Sequence, residues 1–276
     1  MKTLFRIEFT KTLNYNPFRI ILILHLLFFL LGLFALPRID IKFPFLSIVP
    51  LYQFPHVWNF TTWIAGYYNI TLVLLVIMMT SLEFSNKTYK QQVIFGMSRK
   101  ELFMEKLILI FYLSVYVAAL LFITSIASGL IFSYKITFAI IFERSWLILN
   151  SFLQTFAFLS MGILFALIFR NMILSVLVFG FYRVFLEPIV RSLTAHDYRW
   201  FFPTKFISSL TPRPDIIELV QQKLQDADKA SPDELSNFNK IIPEGVPIWQ
   251  NIILTLVFLG IILSVSAYIF RKRRLN

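Results

Sequence analysis

Six long apolar runs constrain this 276-residue chain more than any other feature: Phe18–Leu36, Trp63–Leu82, Leu107–Phe132, Leu147–Phe169, Met172–Val190 and Trp249–Phe270. A helix that crosses the hydrocarbon core needs about 20 apolar residues. Only a helix satisfies every backbone group within one such segment. The runs therefore predict an all-α membrane protein with six transmembrane helices. Composition agrees: 58% of residues are hydrophobic and mean hydropathy is +0.72. A single soluble core cannot hide that much apolar surface. The first run begins near residue 18 and lacks a small-residue cleavage site, so it reads as a span rather than a cleaved leader. The fourth and fifth runs meet at Arg170-Asn171, which must form a tight turn.

The net charge of +11 would suggest a nucleic-acid partner in a soluble chain, but the basic residues here flank apolar runs and no nucleic acid is expected. With the N-terminus placed inside, the inner flanks hold Lys2, Arg6, Lys11, Arg19, Lys87, Lys90, Arg99, Lys100, Lys106, Arg170, Arg271, Lys272, Arg273 and Arg274. The short outer loops hold only Arg38, Lys42, Lys135 and Arg144. This bias predicts N- and C-termini in the cytoplasm. Trp58, Trp63, Trp146 and Trp249 then fall at outer helix ends, as an interfacial aromatic belt would have them.

Segments between the runs carry local signals. Phe5, Phe9 and Leu13 recur at helical spacing, so residues 1–17 form a candidate interfacial helix, although Lys2 and Arg6 fall near the same face. The 83–106 loop reads EFSNKTYKQQVIFGMSRKELFMEK. Its Asn86–Phe95 stretch predicts a short helix, which Gly96 can stop in the left-handed conformation. Ser98 and Glu101 form a capping box that opens the helix running into the third span. The 191–248 segment predicts a small helical outer loop. It has helix starts at Thr211-Pro212-Arg213-Pro214, leading into Asp215–Asp228, and at Ser231-Pro232-Asp233-Glu234. Residues 1–276 thus form a single transmembrane domain.

Chemistry-bearing motifs are sparse. No glycine pattern forms a P-loop, so this chain is expected to bind no ATP itself. His25, His56 and His196 are too far apart for a metal motif, and no cysteine is present. No catalytic site and no cofactor or metal site is expected in this chain. The sequon at Asn69-Ile70-Thr71 lies within a span and is discounted. Polar residues inside spans are costly and count as candidate functional sites. They are His25, Asn69, Thr71, Gln154, Arg183 and Glu187, the last two spaced four apart so that they can pair on one face.

The order of Glu83 closing the second run, then Lys87-Thr88, then Gly96-Met97-Ser98-Arg99, then Lys106 opening the third, resembles the inner loop of ABC-2 type permeases, the membrane subunits of one class of ABC transporters. The six-run layout is similar over nearly the whole chain. The resemblance implies that this loop holds a coupling helix that docks on an ATPase subunit, with Glu83, Lys87, Thr88, Gly96, Met97, Ser98, Arg99 and Lys106 as coupling residues. It implies as partners a dimer of ABC ATPase subunits, which would bring ATP and Mg, and a second permease copy or close relative. The expected function is export of a substrate through the bacterial cytoplasmic (inner) membrane. His25, Asn69, Gln154, Arg183 and Glu187 are then candidates for the translocation path. The outer loop before the last run is longer than the short re-entrant hairpin of that family. Two alternatives are a non-transporting scaffold or sensor whose 191–248 loop binds a partner, and a membrane-embedded enzyme, which would need a polar cluster on facing helices.

Overall fold

The computed structural model describes residues 12, 15–35, 49–134, 136–214 and 246–272. All regular structure among them is helical. The described residues form ten α-helices: α1 (Asn16–Ala35), α2 (His56–Ser85), α3 (Thr88–Ile94), α4 (Arg99–Phe132), α5 (Phe138–Phe142), α6 (Leu147–Phe169), α7 (Met172–Phe181), α8 (Glu187–Leu193), α9 (Pro203–Ser208) and α10 (Ile248–Lys272). A π-helical stretch, Tyr182–Leu186, joins α7 to α8 without a break. Six helical segments are long and apolar enough to cross a membrane, and the chain is a multi-pass membrane protein. The interfacial helix expected over residues 1–17, apart from Thr12 and residues 15–17, and the helices expected over Asp215–Asp228 and after Ser231 lie outside the described residues.

The central layer is α2 against α6, with α4 on one side and α1, α7 and α10 around them. Small residues let the two central helices approach closely. A Cβ on Gly162 of α6 would stand only 3.1 Å from Val73 Cγ1 of α2. Hydroxyls inside the bundle return to their own helix: Thr61 donates to Val57, Ser114 to Ile110 and Thr155 to Ser151, each at 2.8 Å. That pattern satisfies side-chain donors where no water is available.

Local signals set the helix ends. Ser98 and Glu101 form the predicted capping box, with Glu101 N donating to Ser98 Oγ at 3.3 Å and Ser98 N to Glu101 Oε2 at 2.7 Å. Arg170 takes φ 53° in the expected tight turn, and Asn171 caps α7 by accepting from Leu174 N at 3.1 Å. The short helix α3 runs between two left-handed residues, Lys87 (φ 56°) and Gly96 (φ 93°).

Two expectations are corrected. The second span begins at His56 rather than Trp63, so Trp58 is an interior residue instead of part of a belt. It is fully buried, and its indole Nε1 donates to the Ile141 carbonyl at 2.6 Å. The short α5 helix folds over it and supplies an acceptor that spacing could not reveal. The segment after the fifth span contains helix, as expected of it, but part of it does not stay outside the bundle. Residues 203–211 turn back into the bundle against α6 and α10.

Candidate functional site

Two clusters of buried polar side chains lie at different levels of the bundle. The first joins the end of α2 to the start of α4. Lys106 is fully buried, and its ammonium lies 2.8 Å from each oxygen of the Glu83 carboxylate. Such a pair persists in an apolar setting only with close geometry, since each ion alone would be strongly disfavoured. Glu105, the preceding residue, is buried as well.

Aromatic rings surround the pair. Tyr89, the one buried residue of α3, lies under the Lys106 ammonium at 5.9 Å. It also packs on Phe84 of α2 at 4.7 Å and on Phe270 of α10 at 5.2 Å. The Arg170 guanidinium lies over the Phe84 ring at 5.2 Å. Through Tyr89 alone, α3 is fastened to three membrane-spanning helices. Its far end is bare: Ile94 is 72% and Phe95 87% exposed. Lys87 is exposed and Thr88 half-buried at the start of α3, while Met97 packs half-buried on the core after it. Arg99 donates through Nη1 to the Arg271 carbonyl, which ties the start of α4 to the end of α10.

The second cluster holds α9. At its N-terminal end, Glu187 accepts from Thr204 N at 2.9 Å and from Lys205 N at 3.2 Å. At its C-terminal end, Gln154 of α6 donates to the carbonyls of Ile207 and Ser208, each at 3.2 Å, and to Thr211 Oγ1 at 2.9 Å. Asn150 donates to the Leu210 carbonyl at 3.1 Å. Gln154 stands about 10 Å along α6 from Leu147, so α9 reaches well below the end of the bundle. At the next residue of α6, Asn69 donates to Thr155 Oγ1 at 3.0 Å, crossing the α2–α6 contact.

The sequence-predicted path residues are therefore only partly gathered. Gln154 and Glu187 grip the two ends of α9, and Asn69 lies beside the residue next to Gln154. Arg183 makes no hydrogen bond to Glu187, although the carboxylate's charge still acts on it. Its guanidinium rests on the Phe158 ring at 4.3 Å, because the Glu187 carboxylate is occupied by the open N–H groups that begin α9. His25 is elsewhere, between α1 and α4, with Nδ1 3.5 Å from the Tyr116 hydroxyl. Thr71 turns back on its own helix, donating to the Tyr68 carbonyl at 2.8 Å. Sequence reasoning overlooked Tyr89, Glu105, Asn150, Thr155 and Phe158. Glu105 beside Lys106 at the mouth of an apolar run was the available signal. The others carry no local mark.

No protein-family model matches this chain, and no curated protein matches it.

Proposed function

We propose that this protein is the membrane-spanning permease subunit of an ATP-driven ABC-2 type transporter, an exporter that works by alternating access. The observation that carries the reading is α3. It is a short helix between two left-handed residues, rooted by one buried tyrosine in a buried ion pair and presenting an exposed apolar tip. A separate ATPase subunit with a complementary groove would seat Ile94 and Phe95. Closure of the ATPase dimer on ATP and Mg would press on α3. The thrust would pass through Tyr89 to α2, α4 and α10, which are joined at that point.

In this reading the Lys106 end faces the cytoplasm, and both termini lie on that side. Lys87, Lys90, Arg99, Lys100, Arg271 and Lys272 cluster there, as the positive-inside rule requires. The α9 end faces outward, and Asn69, Gln154, Arg183 and Glu187 line the route around α6. A second permease copy or close relative would complete the transporter in a bacterial cytoplasmic membrane.

The test is co-purification from native membranes, comparing the wild-type chain with Phe95→Asp. Phe95 is almost fully exposed, so the substitution should leave the fold intact. Recovery of a P-loop ATPase in about equal amount, lost in the variant, supports the reading. A chain that arrives alone, or with a non-ATPase partner held by the 191–248 segment, replaces it with the scaffold.

A further inference from the structure

Arg183 is a cation at mid-depth. It lies about 16 Å along the helix from Met172, and the Phe158 ring beneath it lies about 16 Å along α6 from Leu147. The two measures meet near the middle of a hydrocarbon core about 30 Å thick. At that level a guanidinium is too far from either interface to be relieved by stretching toward water. Its Nη1 is buried and has no hydrogen-bond partner among the described residues. The nearest carboxylate in sequence, Glu187, lies close enough for its charge to act on Arg183, but its oxygens accept from Thr204 and Lys205 and no hydrogen bond joins it to the guanidinium. What Arg183 does have is the face of Phe158, which orients a cation but leaves its N–H fork unanswered.

The helix that carries Arg183 is open on the side away from α6. The helical segment Met172–Leu193 is the least covered of the six, and Val184, Phe185 and Leu186 around Arg183 are exposed. The π-helical turn sits at this position, where such turns often mark a functional site. A ligand that satisfies these surroundings needs an anionic head for the fork and an apolar chain for the flanking surface.

We infer that Arg183 binds the acidic head, phosphate or carboxylate, of an amphiphile that reaches it laterally from the bilayer. Guanidinium matches either oxyanion with two parallel hydrogen bonds. The head could belong to a resident acidic phospholipid or to a mobile cargo amphiphile. As a statement about cargo, the inference rests on the permease reading. As a statement about binding, it does not.

The experiment uses the full chain purified in dodecyl maltoside, titrated with dodecyl phosphate, dodecanoate and, as the uncharged control, dodecanol. Thermal unfolding midpoint is the readout, and native mass spectrometry of the same preparations records retained phospholipid. Wild type should be stabilised by both anions and not by dodecanol. Arg183→Gln should need roughly ten-fold or more additional dodecyl phosphate for the same shift, as loss of a charge-assisted hydrogen bond implies. Arg183→Lys keeps the charge without the fork. It should keep the preference for anion over alcohol at a several-fold higher concentration, which guards against a Gln variant that fails to fold. An acidic phospholipid retained by wild type and lost in Arg183→Gln assigns the site to resident lipid. Anion binding with no retained lipid assigns it to a mobile amphiphile. Equal responses of wild type and variants, or dodecanol as effective as dodecyl phosphate, overturn the inference. Binding without any ATPase partner would leave the site standing and remove only the word cargo.

Discussion

The two ends of the bundle bury polar groups by opposite means. Near α3, opposite charges from two spans meet directly, Glu83 against Lys106 at 2.8 Å, inside a collar of aromatic rings. Near α9, one carboxylate and two amides reach for backbone groups of a segment that does not span. The first arrangement joins helices that would be stable helices without it. The second makes tolerable a stretch of chain that otherwise could not stay in an apolar layer. One end is thus built as a joint and the other as a plug held at both ends.

Removing one charge from the joint should have the largest effect. Lys106→Met strips the Glu83 carboxylate of its ammonium, with an expected loss of about 3–5 kcal/mol. The double variant Lys106→Met/Glu83→Leu should recover much of that loss. Recovery in thermal unfolding would mark the pair as a specifier of geometry. No recovery would mean that neighbouring groups such as Glu105 depend on it. Glu187→Gln comes next. It weakens acceptance from the start of α9 and should cost about 1.5–3 kcal/mol, the range for hydrogen bonds to a charged group. Faster proteolysis near 195–211, with the rest of the chain protected, would identify the plug as the part released.

Gln154→Leu leaves two carbonyls of the plug without their donor and should cost about 1–3 kcal/mol. If it destabilises the whole bundle as strongly as Lys106→Met, the distinction between plug and joint fails. The smallest effects belong to the turn between α3 and α4. Ser98→Ala removes the cap of α4, at about 1 kcal/mol. Gly96→Ala should cost about 1–2 kcal/mol through backbone conformation alone, since nothing lies within 4 Å of a Cβ built there. Both should disturb partner binding more than overall stability.

What the sequence made legible was local or periodic. The six runs, the Ser98–Glu101 box, the left-handed Gly96 and the Arg170-Asn171 turn depend on neighbours within a few residues, and each is in the structure. The plug was not legible, because its bonds join residues 53 and 60 apart along the chain. Pairing Arg183 with Glu187 followed helical spacing correctly but ignored a competitor. The Glu187 oxygens accept from N–H groups arriving from a distant turn, and the Arg183 guanidinium lies on a ring instead. The misplacement of Trp58 has the same origin: its acceptor is the Ile141 carbonyl, 83 residues away.

The plug also implies an order of construction. The carbonyls of Ile207, Ser208 and Leu210 find their donors on α6, and the amides at the start of α9 find their acceptor at the head of α8. Both donors and acceptor must already be in place when residues 203–211 arrive. A nascent chain emerging from the ribosome would therefore keep this stretch in water until its fifth span had settled beside the fourth. Only then could it tuck inward, and because it also packs on α10, a span that enters after it, a folding step is set between the entry of two helices.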